Sequence, residues 1–349
     1  MERLAIETQT LYAELQERLT ALEAQRTIGH SPGCFTEKTI KGGCYVYYQY
    51  QEPGGINRQI YIGKKTPVLD RIIANYQRAR KILSADLTHI QILCAQLRAG
   101  GALITDTASG RVLKALADSG VFYLDGVLLG THAFMVLGNL LGRRWEHSAL
   151  RTQDIDLAGT AKMIIAIPDI KIDLPKVLEG LHMGFIPVPP FNPKHPSTSF
   201  RVRGNPLRLD VLTSEQHPRK SNPIFIPRFN VAAQPVRFLD YLLDNPIKGA
   251  VIDGGGVLVN VPLPARFALH KLIVSRERDI TAQPKAQKDL DQAAQLLLVL
   301  LEERPGDLLL AWEEIKRRGT GWIKRIQSAL SAKNSPYTSV LERTKAFLS

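Results

Sequence analysis

The chain has 349 residues, 44% hydrophobic and 22% charged, the profile of a globular protein large enough to divide into two or three modules. A formal net charge of +12 favours polyanionic partners, nucleic acid or nucleotides. The apolar runs are too short to cross a bilayer, the opening MERLAIETQT lacks the basic head and apolar core of a signal peptide, and three scattered cysteines (Cys34, Cys44, Cys94) fit neither a disulfide framework nor a structural zinc site. A cytoplasmic protein with no membrane partner is expected.

In chain order, Leu4, Leu11, Leu15, Leu19 and Leu22 recur at helical spacing and predict an amphipathic helix up to about Gln25. From Phe35 to Gly63, β-branched and aromatic residues broken by Gly-Gly and Pro-Gly-Gly predict a β-meander. A second helix is expected from Pro67 to Leu97, with Val68, Ile72, Tyr76, Ile82, Leu83, Leu87 and Ile90 on its apolar face. These elements form a first module, 1–100, a helical hairpin carrying a meander, closed by the breaker RAGGALIT.

The second module, 101–263, reads as α+β. It starts with a helix in ASGRVLKALADSG and a strand in VFYLDGVLLG, followed by the helix HAFMVLGNLLG. A buried strand AKMIIAIPD, a helix LPKVLEGLHMG, two strands in TSFRVRGNPLRLDVLT and a hairpin GAVIDGGGVLVNVP complete it. IPVPPFNPKHP is a Pro-rich loop. DGGGV lacks the lysine and following helix of a P-loop, so a hairpin turn is expected there. The third module, 264–349, is helical.

The chemistry concentrates around Asp154-Ile155-Asp156. Alternation along a strand puts Asp154 and Asp156 on one face, where two carboxylates repel each other unless a cation neutralises them. Mg2+ (or Mn2+) suits such hard oxygen ligands and bridges them to phosphates. Asp210 in LRLDVLT is a third acid in an apolar strand, costly to bury unless a metal or donor satisfies it. Upstream, Gly130 ends a strand and Thr131 is placed to cap the next helix, whose first amides form an anion site for a terminal phosphate. Three aspartates holding metal, facing a phosphate cradle, describe nucleotidyl transfer from a nucleoside triphosphate (NTP), with Asp210 accepting the hydroxyl proton.

These residues resemble the DNA polymerase β-like nucleotidyltransferase superfamily, whose pattern is a Gly-Ser or Gly-Thr pair, an Asp-x-Asp and a later lone Asp. LRTQDIDL is most similar to the Arg-x-Thr-x-Asp-Ile-Asp-Leu motif of the AbiEii and MenT toxin-like nucleotidyltransferases, and ALHKLIVSRERDITAQPKAQKDLDQA to their later basic helix. The resemblance covers roughly residues 105 to 300. It implies a polymerase β-like mixed sheet, nucleotide-binding roles for Arg151 and Thr152 beside Gly130 and Thr131, and a triphosphate contact by Lys271 with Arg278 and Asp289 nearby. The family contains toxins and antitoxins, so an antitoxin protein is a candidate partner, but membership does not fix the acceptor; the acid triad and the positive charge favour RNA, such as tRNA.

Other readings stay open. The acceptor can be a small molecule or a protein, and the scaffold can bind nucleic acid without catalysis. Lys271, Ser275 and Arg278 at i, i+4 and i+7 equally describe an exposed polar stripe. Arg151 can pair with a surface acid, Thr152 can be a β-former, and His132 fits core packing. In the first module, Thr36 to Lys81 holds nine Lys or Arg against three Asp or Glu. Lys38, Lys41, Arg58, Lys64 and Lys65 flank Tyr45, Tyr47, Tyr48, Tyr50 and Tyr61, a mixture suited to phosphates and unpaired bases. Consecutive Tyr47 and Tyr48 must face opposite sides of their strand.

Overall fold

The computed structural model describes residues 1–25, 33–51, 57–146, 154–158, 172–190, 192–215, 222–278, 282–332 and 335–349, with the backbone alone at 51, 79–84 and 154–158. A short β1 (Glu2–Arg3) leads into α1 (Ile6–Gln25), followed by the meander β2 (Gly33–Ile40), β3 (Gly43–Gln51) and β4 (Asn57–Lys64). Lys41 and Gly42, both at positive φ, make the two-residue β2–β3 turn whose twist suits a hairpin. Thr66 and Pro67 then start α2 (Pro67–Ala99), with the Thr66 hydroxyl accepting from the Leu69 amide at 3.2 Å.

The centre comprises α3 (Thr107–Asp118), β5 (Val127–Leu129), α4 (Gly130–Leu140), β6 (Arg143–Arg144), β7 (Asp154–Ala158), α5 (Leu174–Gly180), β8 (Phe185–Pro187), β9 (Ser199–Val202), β10 (Arg208–Ser214), β11 (Ile224–Ile226), β12 (Val231–Val236), α6 (Leu239–Leu243), β13 (Ile247–Val251) and β14 (Val257–Val261). Helices α7 (Pro264–Glu277), α8 (Gln283–Glu303), α9 (Pro305–Arg317), α10 (Thr320–Leu330) and α11 (Thr338–Phe347) complete the chain. The architecture is α+β: a mixed sheet ordered β11-β12-β10-β7-β5, with β9 beside β10 and β8 beside β9, flanked by helices. β10 runs parallel to β7 and β12, whereas β5 is antiparallel to β7 and β9 to β10.

The main core joins the sheet, α3 and α4 to the C-terminal helices through residues such as Leu113, Leu128, Phe134, Leu209, Phe267 and Leu297. A second cluster packs Leu15, Leu19, Ile90, Leu93 and Leu97 of α1 and α2 against Ala250, Ile252 and Leu258 of the β13–β14 hairpin. There the buried Tyr12 hydroxyl donates to the Ala250 carbonyl and accepts from its amide. The DGGGV segment is a hairpin turn, with Asp253 Oδ1 accepting from the Gly255 and Gly256 amides at 2.9 and 3.0 Å. Among the described residues, no helix is long and apolar enough to cross a membrane.

Four expectations need correction. On α2 only the end nearest α1 is buried: Ile90 is fully enclosed, whereas Val68, Ile72 and Leu87 are 63%, 53% and 40% exposed. Helix α1 is 20 residues long and α2 is 33, so the first turns of α2 extend past their partner. The strand expected from residue 121 shrinks to Val127–Leu129, because the Tyr123 and Leu124 amides both turn back to the Gly120 carbonyl. The expected opening helix starts at Ile6, after Glu2 and Arg3 pair with Arg144 and Arg143. β8 overlaps the start of the Pro-rich stretch, and β11 and β12 add strands where none was expected. The expected strand AKMIIAIPD lies outside the described residues.

Candidate active site

The local sequence sets one row of residues across four strands. Leu129 of β5 pairs with Asp156 of β7, Asp156 with Asp210 of β10, and Asp210 with Ser199 of β9. Two residues earlier on β7, Asp154 pairs with Arg208. Strand alternation gives 154, 156, 208 and 210 register positions on one sheet face. β5 ends at this level, and the chain enters α4 at Gly130, whose φ of +66 lies in the left-handed region that glycine occupies without Cβ strain.

Asp210 sits under two donors. Ser199 Oγ makes a short hydrogen bond to its Oδ1, and Arg208 Nε donates to the same oxygen at 2.7 Å. Arg208 Nη2 also reaches Ser199 Oγ at 3.0 Å, closing a three-residue ring. Because both bonds fall on Oδ1, Oδ2 can meet a cation or a proton without breaking them. Arg208 is about half exposed, so its charge can move aside at modest cost. Sequence reading missed Arg208 and Ser199. The i, i+2 spacing of Arg208 and Asp210 was a usable signal for the first; Ser199 needed the β9–β10 register.

Thr131 does not cap α4, contrary to expectation. The helix begins one residue earlier, at Gly130, with Leu129 in the capping position and no side chain closing the first turn. The amides of that turn therefore keep their capacity for an anion. Thr131 is buried, and its hydroxyl accepts from Gln292 Nε2 of α8 at 3.4 Å. His132 follows at 2% exposure, and neither ring nitrogen has a hydrogen-bond partner among the described residues. Burial lowers its pKa to about 4; Asp106 counteracts this and Lys288 adds to it. It is a neutral, packed histidine.

One turn before Gln292 on α8, Asp289 lies 3% exposed between two bases. Lys271 Nζ of α7 donates to its Oδ1 at 2.6 Å, and Arg278, just past the end of α7, donates through Nε and Nη2 to Oδ2 at 3.1 and 2.9 Å. Burial raises the carboxyl pKa, but the charges and hydrogen bonds of Lys271 and Arg278 outweigh it and hold Asp289 below the ordinary carboxylate range. The exposed-stripe alternative fails here. Lys271 is 14% exposed, and Ser275 is buried, with its hydroxyl turned onto the Leu272 carbonyl. Beside it His270 is also buried, with its pKa lowered to about 4 chiefly by desolvation.

Of the sequence candidates, the backbone brings Asp154, Asp156, Asp210 and Gly130 to one end of the sheet, and Asp289 gathers Lys271 and Arg278. Arg151 and Thr152 lie outside the described residues, as do the side chains of Asp154 and Asp156. Among the described residues, no three His, Cys, Asp or Glu side chains cluster at metal-binding distance. By residue type, the aspartates at these register positions carry hard oxygen ligands, which suit Mg2+ or Mn2+.

A family model described as Nucleotidyltransferase matches residues 107–317, which run from the start of α3 to the end of α9. No curated protein and no solved structure matches the chain. The matched span includes the whole strand row, the α4 N-terminus and the Lys271–Asp289–Arg278 cluster, and it exceeds half the chain: this protein belongs to the nucleotidyltransferase family, within the polymerase β-like superfamily.

Proposed function

We propose that this chain transfers a nucleoside monophosphate from an NTP to a hydroxyl of a macromolecular acceptor, and that the acceptor is RNA, such as tRNA. The supporting observation is the register row in which Asp156 lies between Asp210 and the strand end that launches α4. It sets a pair of aspartates beside an uncapped helix N-terminus.

In this reading the amides of the first turn of α4, that of Thr131 among them, hold a terminal phosphate, while Lys271 and Arg278, fixed by Asp289, neutralise triphosphate charge. Arg151 and Thr152 border the same nucleotide. Asp154, Asp156 and Asp210 are the residues that would hold Mg2+ or Mn2+, which when bound supplies Lewis-acid neutralisation of the triphosphate and acidifies the attacking hydroxyl. Asp210 accepts the hydroxyl proton as the new bond from acceptor oxygen to α-phosphorus forms. The bond from that phosphorus to the bridging oxygen breaks, and pyrophosphate leaves with the electron pair. Arg208 and Ser199 orient Asp210. The net charge of +12 supports a polyanionic acceptor.

The test is incubation of the full chain with α-labelled NTPs, Mg2+ and total RNA, followed by electrophoresis. The reading requires label on RNA in amounts matching the pyrophosphate released. Absence of label from every RNA, with either metal, removes RNA as the acceptor.

A further inference from the structure

The meander has two unlike faces. Its inner face packs aromatically on α2: Phe35 and Tyr48 meet Tyr76 edge-on with ring centroids 5.2 and 6.1 Å away, and the Tyr76 hydroxyl donates to the Gly33 carbonyl at 2.9 Å. Strand alternation sends Tyr45 and Tyr47 to the other face, where both meet Tyr61 of the neighbouring strand at 6.2 and 5.5 Å. Tyr61 is 55% exposed. Lys38 crosses the same face, 5.0 Å from the Tyr47 ring centre, and hydrogen-bonds Gln59.

We infer that this outer face, Tyr45, Tyr47 and Tyr61 with Lys38, docks a single-stranded segment of RNA by stacking its bases. Cross-strand tyrosine pairs stabilise any sheet, but stability alone does not require three of them on the solvent side when Phe35, Tyr48 and Tyr76 already anchor the other face. Charge is complementary: Gly33 to Lys65 carries five Lys or Arg against two Asp or Glu, and one of those acids, Glu37, is paired with Lys65. The exposed Tyr61 ring, backed by the half-buried Tyr45 and Tyr47, can accept only unstacked bases, which duplexes do not offer. The amides of Gln49 and Gln59, on the same face, can hydrogen-bond a ribose 2′-hydroxyl, which selects RNA over DNA. Only the choice of RNA rests on the proposed acceptor; the stacking surface stands on its own geometry.

The experiment measures fluorescence anisotropy of a labelled unstructured RNA 12-mer on the full chain, in EDTA and without NTP, so that binding is read apart from chemistry. The Tyr47→Ala/Tyr61→Ala variant is compared with Tyr48→Ala, and thermal melting checks folding. Each stacked base lost should weaken binding about tenfold, so the double variant is expected to bind at least tenfold more weakly while still folding, whereas Tyr48→Ala, on the inner face, should lower the melting temperature more and binding less. A Lys38→Gln variant should reduce the log-log salt slope by about 0.7. If RNA does not bind, if the double variant binds like the parent, or if a DNA 12-mer of the same sequence or the RNA annealed to its complement, measured alongside, binds equally well, the inference is overturned. RNA binding in EDTA by a parent chain that labels no RNA in the transfer assay above would leave this surface standing and count against the catalytic reading instead.

Discussion

Asp289→Asn removes the carboxylate that Lys271 and Arg278 share while preserving shape. Arg278 is about one-third exposed, so water can compensate much of its charge. Lys271, at 14% exposure, has far less recourse. Removing one partner of a buried ion pair costs about 3 to 5 kcal/mol because the other charge is stranded; with Arg278 partly solvated, the lower end, about 3 kcal/mol, is expected at neutral pH. Urea unfolding followed by the fluorescence of Trp145, Trp312 and Trp322 reads this as a lower midpoint at unchanged slope. Adding Lys271→Met should recover part of the loss, since no lysine is then left unpaired. A midpoint shift worth less than about 1 kcal/mol, or a double variant no more stable than Asp289→Asn, would show that Asp289 is not what holds the two bases.

Lys271→Ala should raise the KM for NTP about tenfold or more while changing kcat less, as befits a charge-assisted phosphate contact; an unchanged KM makes Lys271 purely structural. His132 and His270 have folded pKa values of about 4 against 6.5 in the open chain, so their stability contribution is complete above pH 6.5 and is lost as the pH falls towards 4. At about 1.4 kcal/mol per unit, up to about 3 kcal/mol per histidine disappears over that window, visible as a falling melting temperature. Replacing both by Leu should flatten the fall, and an equally steep profile would refute the assignment. Gly130→Ala should cost about 1 to 2 kcal/mol through its φ of +66 and weaken NTP binding by disturbing the first turn of α4; equal stability would show that the turn relaxes freely.

The aspartates were legible because strand alternation is a two-residue rule: it needs only the identity of neighbours to put 154 and 156, or 208 and 210, on one face. The meander was equally visible, since its turns are written in glycines and a Lys41-Gly42 pair. What the sequence could not show depends on partners. Val68 and Ile72 carry the periodicity of a buried face, but burial requires a second helix as long as the first. The sequence of β12, VAAQPV, has little strand propensity and a proline, and becomes a strand because β10 offers it an edge. The cap expected of Thr131 failed because the glycine before it lets α4 begin early. Ser199 entered the site only through a register formed across β9 and β10.

The central claim is that Asp156 and Asp210, paired across β7 and β10, perform nucleotidyl transfer. The most direct measurement is the single-turnover rate of labelled nucleotide incorporation for Asp156→Asn and Asp210→Asn, with folding verified by circular dichroism. The account predicts that each variant keeps the fold and loses transfer by about a thousandfold or more, a barrier increase of about 4 kcal/mol. A folded variant that transfers within tenfold of the parent would contradict it.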